Sequence, residues 1–346
     1  MTRIADVVVV GAGAMGSATA WELARRGIDV VVLEQFERGH ARGSSHGGSR
    51  IFRFAYADRY YVELAKEARD LWRVVEDDAG EVLLEITGAL DHGDPALIEP
   101  VARALRAGGC VVESLSSEEA GERWPGMNFE GDVVHSPEGG RVLADRAVAA
   151  FQRRAGDLGA ELAFERTVTS VDPRRRIVRT DDGDVVARRS IVVTAGAWLE
   201  SLLRDHVDLP PMTVTEEQVF HFGGGAAVEK WPSFIHYRDP ARYGLVTPGE
   251  GVKVAEHGTG YEVDPDDREF DVDPDARDRV VAYVEQWLPG LDPTPVSETT
   301  CLYTNTPDSS FVLDRAGDVV VGSACSGHGF KFTPAIGKRL ADLALD

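Results

Sequence analysis

The segment Val7-Val8-Val9-Val10-Gly11-Ala12-Gly13-Ala14-Met15-Gly16 spells a strand that runs straight into a glycine turn. Its four valines are β-branched and uninterrupted, the pattern of a short parallel strand buried on both faces. Gly11, Gly13 and Gly16 stand in G-x-G-x-x-G spacing. Ser17–Arg26 reads as a helix with Ala18, Ala20, Leu23 and Ala24 on one apolar stripe, and Gly27 stops it. Asp29–Leu33 is a second strand, closed by Glu34. The three glycines differ in role. Gly11 makes the tight turn, Gly13 lets the backbone approach a pyrophosphate, and Gly16 lets helix and strand pack closely. The helix N-terminus offers unpaired N–H groups and partial positive charge to phosphates. Glu34, eighteen residues beyond Gly16, is placed to accept hydrogen bonds from a ribose diol, and its charge repels a 2′-phosphate. A lone glycine motif is equally an ordinary strand-to-helix turn. The ordered succession of strand, glycines, helix, strand and acid points to dinucleotide binding. This unit does not separate NAD from FAD.

Composition narrows the class. At 346 residues the chain is long for one core, and two domains are expected. A hydrophobic content of 43% supplies ample core. No apolar run approaches the ~20 residues that span a bilayer. The first strand starts within a few residues of Met1, without a charged-then-apolar leader, so a cytoplasmic location is expected. Cys110, Cys301 and Cys325 fit no disulfide framework and have no C-x-x-C spacing, so no metal site is expected. The 58 acidic and 37 basic residues leave a net charge of −21, spread along the chain, which argues against nucleic acid or anionic membrane as partners. Only five basic residues are lysines: Lys66, Lys230, Lys253, Lys331 and Lys338. A chain that prefers arginine has kept lysine at few places.

Residues 58–78, Pro95–Ala107, Asp145–Leu158, 275–287 and Pro334–Leu345 read as helices, and Glu118–Glu122 leads into a helix stop at Arg123-Trp124-Pro125-Gly126. Strands are expected at Leu83–Ile86 and Ala89–His92, and several short ones between 161 and 194. The last of these, Ile191-Val192-Val193, delivers the small-residue turn Thr194-Ala195-Gly196-Ala197-Trp198 to the nucleotide-binding sheet. Thr213–Phe222, Phe234–Tyr237, Gly244–Thr247 and Val252–Glu256 form an antiparallel pattern; Cys301–Thr304, Phe311–Asp314 and Val319–Gly322 are further strands. Nucleotide-binding features thus stand at the start, middle and end. Two discontinuous domains follow.

Three later segments carry chemistry. Gly43-Ser44-Ser45-His46-Gly47-Gly48-Ser49-Arg50-Ile51-Phe52-Arg53 can wrap a flat cofactor with free N–H groups, and its two arginines can face one site; the plain alternative is a flexible basic loop. In Gly251-Val252-Lys253-Val254-Ala255-Glu256-His257, positions 253, 255 and 257 share a strand face. If that face meets solvent, Lys253 and His257 are merely exposed; if it meets a cavity, Lys253 is a desolvated cation. Ser326-Gly327-His328-Gly329-Phe330-Lys331 is a glycine turn before the terminal helix, which aims positive potential at whatever lies there, or simply enters a helix. An anionic reduced flavin suits such a site better than a nicotinamide.

With these pieces the chain resembles, nearly end to end, the monomeric sarcosine oxidases and the related N-methyltryptophan and pipecolate oxidases, within the D-amino-acid-oxidase-like flavoprotein group. The matching pieces are Gly11–Glu34, Gly43–Arg53, Arg123–Gly126, Lys253–His257, Cys301-Leu302-Tyr303-Thr304 and Ser326–Phe332. The resemblance implies an α/β plus α+β fold. A glutathione-reductase-type, Rossmann-like FAD-binding domain would comprise residues 1–86, 142–212 and 299–346. A discontinuous antiparallel-sheet substrate domain would comprise 87–141 and 213–298.

The resemblance also implies roles. Cys301 matches the cysteine that carries FAD as an 8α-thioether. Lys253 matches the lysine that promotes reaction with O2, and Arg53 and Lys331 match the clamp on the substrate carboxylate. Tyr243 and His257 match parts of the cage around the substrate amine, with Tyr303 close by. Arg50 and His46 match flavin-side residues. The cofactor-binding set further takes in Gly11, Gly13, Ala14, Met15, Gly16, Glu34, Gln35, Gly43, Ser44, Ser45, Val168, Ala195, Gly196, Trp198, Gly327, His328, Gly329 and Phe330. The implied enzyme is a cytoplasmic monomer that oxidises the C–N bond of an N-methyl or cyclic amino acid and reduces O2 to H2O2.

Four positions depart from the pattern. Gly48-Ser49 stands where relatives often have Asp-Thr, Ser310 replaces a histidine, and Leu245 replaces an aromatic near Tyr243, which enlarges the cage. Relatives continue past the position of Asp346 with a tail. Three alternatives stay open: a flavin dehydrogenase with a non-oxygen acceptor, an NAD-dependent dehydrogenase, and a non-catalytic flavoprotein. Peroxide yield and visible colour separate the first two from the oxidase, and a binding module would not need Arg53, Lys253, Cys301 and Lys331 together.

Overall fold

The computed structural model describes residues 3–346. The valine run lies in the strand Arg3–Val10, at the centre of an eight-stranded sheet. It pairs in parallel with Val30–Leu33 on one side and with Gly183–Val193 on the other. Both of its faces are covered. Val7 and Val9 join one core with the helices Ala14–Arg25, Arg59–Ala79, Ala144–Asp157 and Thr333–Leu345. Val8 and Val10 join a second core with Val171, Val178, Leu199 and Leu203. An uninterrupted apolar strand is the sequence consequence of burial on both sides.

Glu161–Ala163 extends the sheet in parallel beyond Val30–Leu33, and Val319–Ser323 extends it beyond the C-terminal half of Gly183–Val193. Val168–Asp172 and Ile177–Thr180 form an antiparallel meander with the N-terminal half of Gly183–Val193. The first helix begins at Ala14, three residues before the expected Ser17, because Gly13 takes the N-cap position in extended conformation. Gly13 brings no side-chain cap; apart from the Ala14 N–H, which Ser45 Oγ takes up, the first-turn N–H groups are left for a ligand.

A nine-stranded sheet forms the second half of the molecule. Thr213–Gly224, Gly251–Glu256, Arg242–Thr247 and Ser233–Tyr237 are antiparallel neighbours, as their alternation suggested. Ser233–Tyr237 then pairs in parallel with Ala89–Gly93, a long-range join that no local pattern announces. On one face Phe220, Phe222, Val252 and Val254 pack against Val280 and Val284 of the helix Pro274–Trp287. Each such side chain contributes roughly 1.5–3 kcal/mol on burial. On the other face the alternate residues Val219, Lys253, Ala255 and Cys301 look toward the first sheet.

One expected strand is longer than its pattern suggested. Cys301–Thr304 is not a separate strand but the end of Leu291–Asn305, which pairs with Thr213–Gly224 along nearly its full length. Residues 299–305 thus pair within the nine-stranded sheet. The strand is what carries Cys301 to the junction between the halves. A small third sheet, Arg50–Phe52, Gly140–Val142 and Leu84–Ile86, bridges them.

Candidate active site

A cavity of about 1500 Å3 runs between the two large sheets. This exceeds the roughly 300–1,000 Å3 of an ordinary small-molecule pocket and leaves room for a dinucleotide beside a second ligand. At one end lies the glycine turn. Gly11 has φ +96°, and a Cβ there would stand 2.6 Å from the Thr194 carbonyl oxygen. A Cβ on Gly16 would meet the Gly11 carbonyl oxygen at 1.8 Å, so helix and strand touch because this residue has no side chain. Glu34 is buried; its two oxygens accept from the backbone N–H groups of Ala12 (2.8 Å) and Phe36 (3.1 Å). Ser45 Oγ accepts from the Ala14 N–H (3.0 Å) and ties the 43–53 loop to the helix N-terminus.

The middle of the cavity gathers cations around a thiol. Arg50 donates to the carbonyl oxygens of Ser44 (3.0 Å) and His46 (2.6 Å) and lies 4.0 Å from Cys301 Sγ. Burial pushes the Cys301 thiol up, while Arg50 and Lys253 pull the other way. Lys253 is buried and donates to the Ser49 carbonyl oxygen (2.9 Å). Burial and the neighbouring Arg50 push its amine down to about 7. The same causes hold His46 down at about 3, and its Nε2 has no hydrogen-bond partner among the described residues.

At the far end two further cations converge on a wall of aromatic rings. Lys331 is buried in the turn before the terminal helix and donates to the Tyr56 hydroxyl (2.8 Å) and the His328 carbonyl oxygen (2.6 Å). Arg53 lies 4.7 Å over the Tyr56 ring and donates to the Tyr237 hydroxyl (2.7 Å). Asp91, with no exposed surface, stands 3.4 Å from the same guanidinium. Burial lifts this carboxyl to about 6 against the pull of Arg53. Tyr303 OH lies 3.4 Å from His257 Nδ1. Burial, then Arg53 and Lys331, keep that imidazole neutral, at about 4. Gly327, at φ +71°, lets the turn close onto Tyr303, where a Cβ would come within 2.3 Å of the ring.

Every residue expected at the site from the sequence lines this cavity except Gly16, which sits beneath it as a packing contact. The face shared by Lys253 and Ala255 meets the cavity, not solvent. His257 reaches it from just past the strand Gly251–Glu256. Sequence reasoning missed Tyr56, Asp91, His221, Tyr237 and Glu250. Tyr56 follows Arg53 closely and was within reach. Asp91 and Tyr237 come together only through the parallel join of their strands.

The residues present fit a flavin dinucleotide: uncapped N–H groups at a glycine turn, a buried acid beyond the second strand, an orphaned imidazole nitrogen, and cations along the far wall. Comparison with known proteins agrees. The model of the DAO family, FAD-dependent oxidoreductases, matches residues 6–343, and the chain belongs to that family. It is similar to a probable sarcosine oxidase of Arabidopsis thaliana, 34% identical over 99% of this chain and 88% of the relative. Monomeric sarcosine oxidase of a Bacillus species is 30% identical over 98% and 92%. Among solved structures, NikD, an amino acid oxidase of nikkomycin biosynthesis, superposes with a TM-score of 0.90 at 28% identity, covering 100% of this chain and 95% of that one.

Among the described residues there is no cluster that could hold a metal ion, and no helix is long and apolar enough to cross a membrane.

Proposed function

We propose that the chain is a flavin-dependent oxidase of secondary amino acids, N-methylated or cyclic, that yields an imine and hydrogen peroxide. The observation that carries this reading is the convergence of Arg53 and Lys331 beside an aromatic cage at the inner end of the FAD cleft. Bound FAD supplies the two-electron redox chemistry. The protein supplies position and charge. Arg53 presents a planar fork to a carboxylate, and Lys331 adds a point charge beside it. Tyr243, Tyr303 and the neutral His257 frame the amine without repelling it. Leu245 leaves more room in that frame than an aromatic ring would, which suits substrates larger than sarcosine. Lys253 holds positive charge where electrons pass to O2, and a fixed cation favours that transfer. The imine leaves the cage and is hydrolysed by water, giving formaldehyde and an amino acid from an N-methyl substrate.

Attachment of FAD through Cys301 belongs to the same reading, supported by the thiol's seat beside Arg50. So do a monomeric state, supported by relatives of that name, and a cytoplasmic location, supported by three unpaired cysteines.

Purified protein is to be assayed under air against a panel of N-methyl and cyclic amino acids, with peroxide and formaldehyde as readouts. Peroxide with at least one of them is expected. A yellow protein that is reduced by substrate yet forms no peroxide would remove the oxidase reading. Acid-precipitated, washed protein is expected to stay yellow and to lose its colour when Cys301→Ala is made; a colourless wild-type pellet excludes the thioether.

A further inference from the structure

We propose that His221 and Glu250 form a proton relay linking the buried Lys253 to solvent. The proposal rests on the oxidase reading above and adds two residues to it. His221 lies on Thr213–Gly224 directly opposite Lys253 on Gly251–Glu256, and opposite Ser297 on its other side. Directly opposed residues of antiparallel strands have Cβ atoms about 4.5–5.5 Å apart, on one face. Both side chains line the cavity and both are buried. Neither ring nitrogen of His221 has a hydrogen-bond partner among the described residues. A packing histidine kept this way forfeits two hydrogen bonds for no return.

The third member completes the line. Glu250 Oε2 is 3.4 Å from His221 Nε2, and the glutamate side chain is 44% exposed, so it reaches from the ring to bulk water. It also occupies the space that a side chain at position 48 would need, since a Cβ on Gly48 would lie 2.2 Å from Glu250 Oε1. The absence of a side chain there is what admits the carboxylate. The groups facing His221 are Lys253 and Glu250 on one side, Ser297 on the other, and Arg50 from the loop above. Burial, then Lys253 and Arg50, hold the imidazole down at about 4, so at neutral pH one nitrogen carries a proton and the other accepts.

Reduction of O2 to H2O2 takes up two electrons and two protons. Reoxidation of the two-electron-reduced cofactor anion provides both electrons and one proton, and the second must come from outside. In the relay a Lys253 Nζ–H bond breaks as the peroxide O–H bond forms. The emptied Nζ takes the proton from His221 Nδ1, while Nε2 takes one from a solvent hydronium drawn in by the Glu250 carboxylate. The ring keeps its charge, its tautomer is exchanged, and a half-turn about Cβ–Cγ restores the starting form for the next turnover.

The test uses His221→Phe, which keeps a ring in place, and Glu250→Gln on the exposed rim, which leaves the core untouched. Stopped-flow reoxidation of the substrate-reduced holoenzyme by O2 is expected to slow on the order of a hundredfold in His221→Phe. Glu250→Gln is expected to slow it less and to make the rate depend on buffer concentration, while anaerobic reduction by substrate stays unchanged in both. A second readout needs no turnover. The visible spectrum of the resting holoenzyme is titrated from pH 5 to 10, and the step assigned to Lys253 is the one missing in Lys253→Met. Its midpoint is expected to fall in Glu250→Gln, because the carboxylate that favours the ammonium form has gone. Unchanged reoxidation together with an unchanged midpoint in Glu250→Gln overturns the relay, whatever the folding of the other variant. A wild-type enzyme that makes no peroxide overturns the oxidase reading instead, and the spectral titration still decides whether Glu250 and Lys253 are coupled.

Discussion

Arg53 shows how a single side chain is aimed by neighbours remote in sequence. Its guanidinium is held by the Tyr237 hydroxyl, the Tyr56 ring and the buried Asp91 carboxyl. Removing one acceptor from a buried cation costs about 1–3 kcal/mol. Tyr237→Phe should therefore raise KM for a carboxylate substrate by roughly five- to a hundredfold, with kcat changed little. Steady-state kinetics check this; an equal fall in kcat and kcat/KM would assign the hydroxyl to the chemical step instead. Arg53 itself was legible in the sequence, since its place beside Arg50 in a glycine-rich loop pointed to a shared site. Asp91 was not. It sits in Ala-Leu-Asp-His-Gly, an unremarkable strand end, and gains meaning only when Ser233–Tyr237 docks alongside.

At the level of elements, the glycine turn and the histidine-bearing strands carry opposite lessons. The strand-turn-helix-strand unit could be read directly, because tight turns and buried parallel strands constrain residue types locally. Gly16→Ala would push a Cβ to 1.8 Å from the Gly11 carbonyl oxygen, a backbone atom that cannot swing away. The expected outcome is protein that is colourless or poorly folded, read from visible absorbance and the thermal midpoint. The pairing of Ala89–Gly93 with Ser233–Tyr237 could not be read, and it stacks His92 on His236 with ring centroids 4.1 Å apart. Burial depresses both imidazoles; His236 adds to the effect on His92, and Glu130 partly offsets it on His236. The folded chain thus binds fewer protons than the unfolded chain below the unfolded histidine value of about 6.5. This stability is present above that pH and is lost as pH falls below it. The thermal midpoint should drop between pH 7 and 5, helped by the buried histidines of the cavity, and His92→Phe should flatten the drop. A slope identical to wild type would absolve the pair.

Over the whole molecule, a net charge of −21 is spread across a surface laced with arginine–carboxylate pairs. Exposed pairs of this kind contribute little individually, while self-repulsion of the excess acid is collective and screened by salt. Raising sodium chloride from about 10 mM to 0.5 M, where the screening length falls from about 30 Å to a few ångströms, should raise the thermal midpoint. A falling midpoint would mean that the pairs outweigh the repulsion. A two-part plan was expected from the alternation of nucleotide-binding and antiparallel segments, and the length of the strand Leu291–Asn305, which carries Cys301 to the cavity, was not legible beyond its last residues. The cavity itself draws on Val10 near one end of the chain and Lys331 near the other. A polypeptide still growing on its ribosome therefore owns no complete cleft until the turn that bears Lys331 has emerged. Capture of the vitamin-derived group is accordingly expected only after that turn is in place. Cells starved of riboflavin should accumulate full-length, pale protein that yellows when the vitamin returns, even after translation has been stopped.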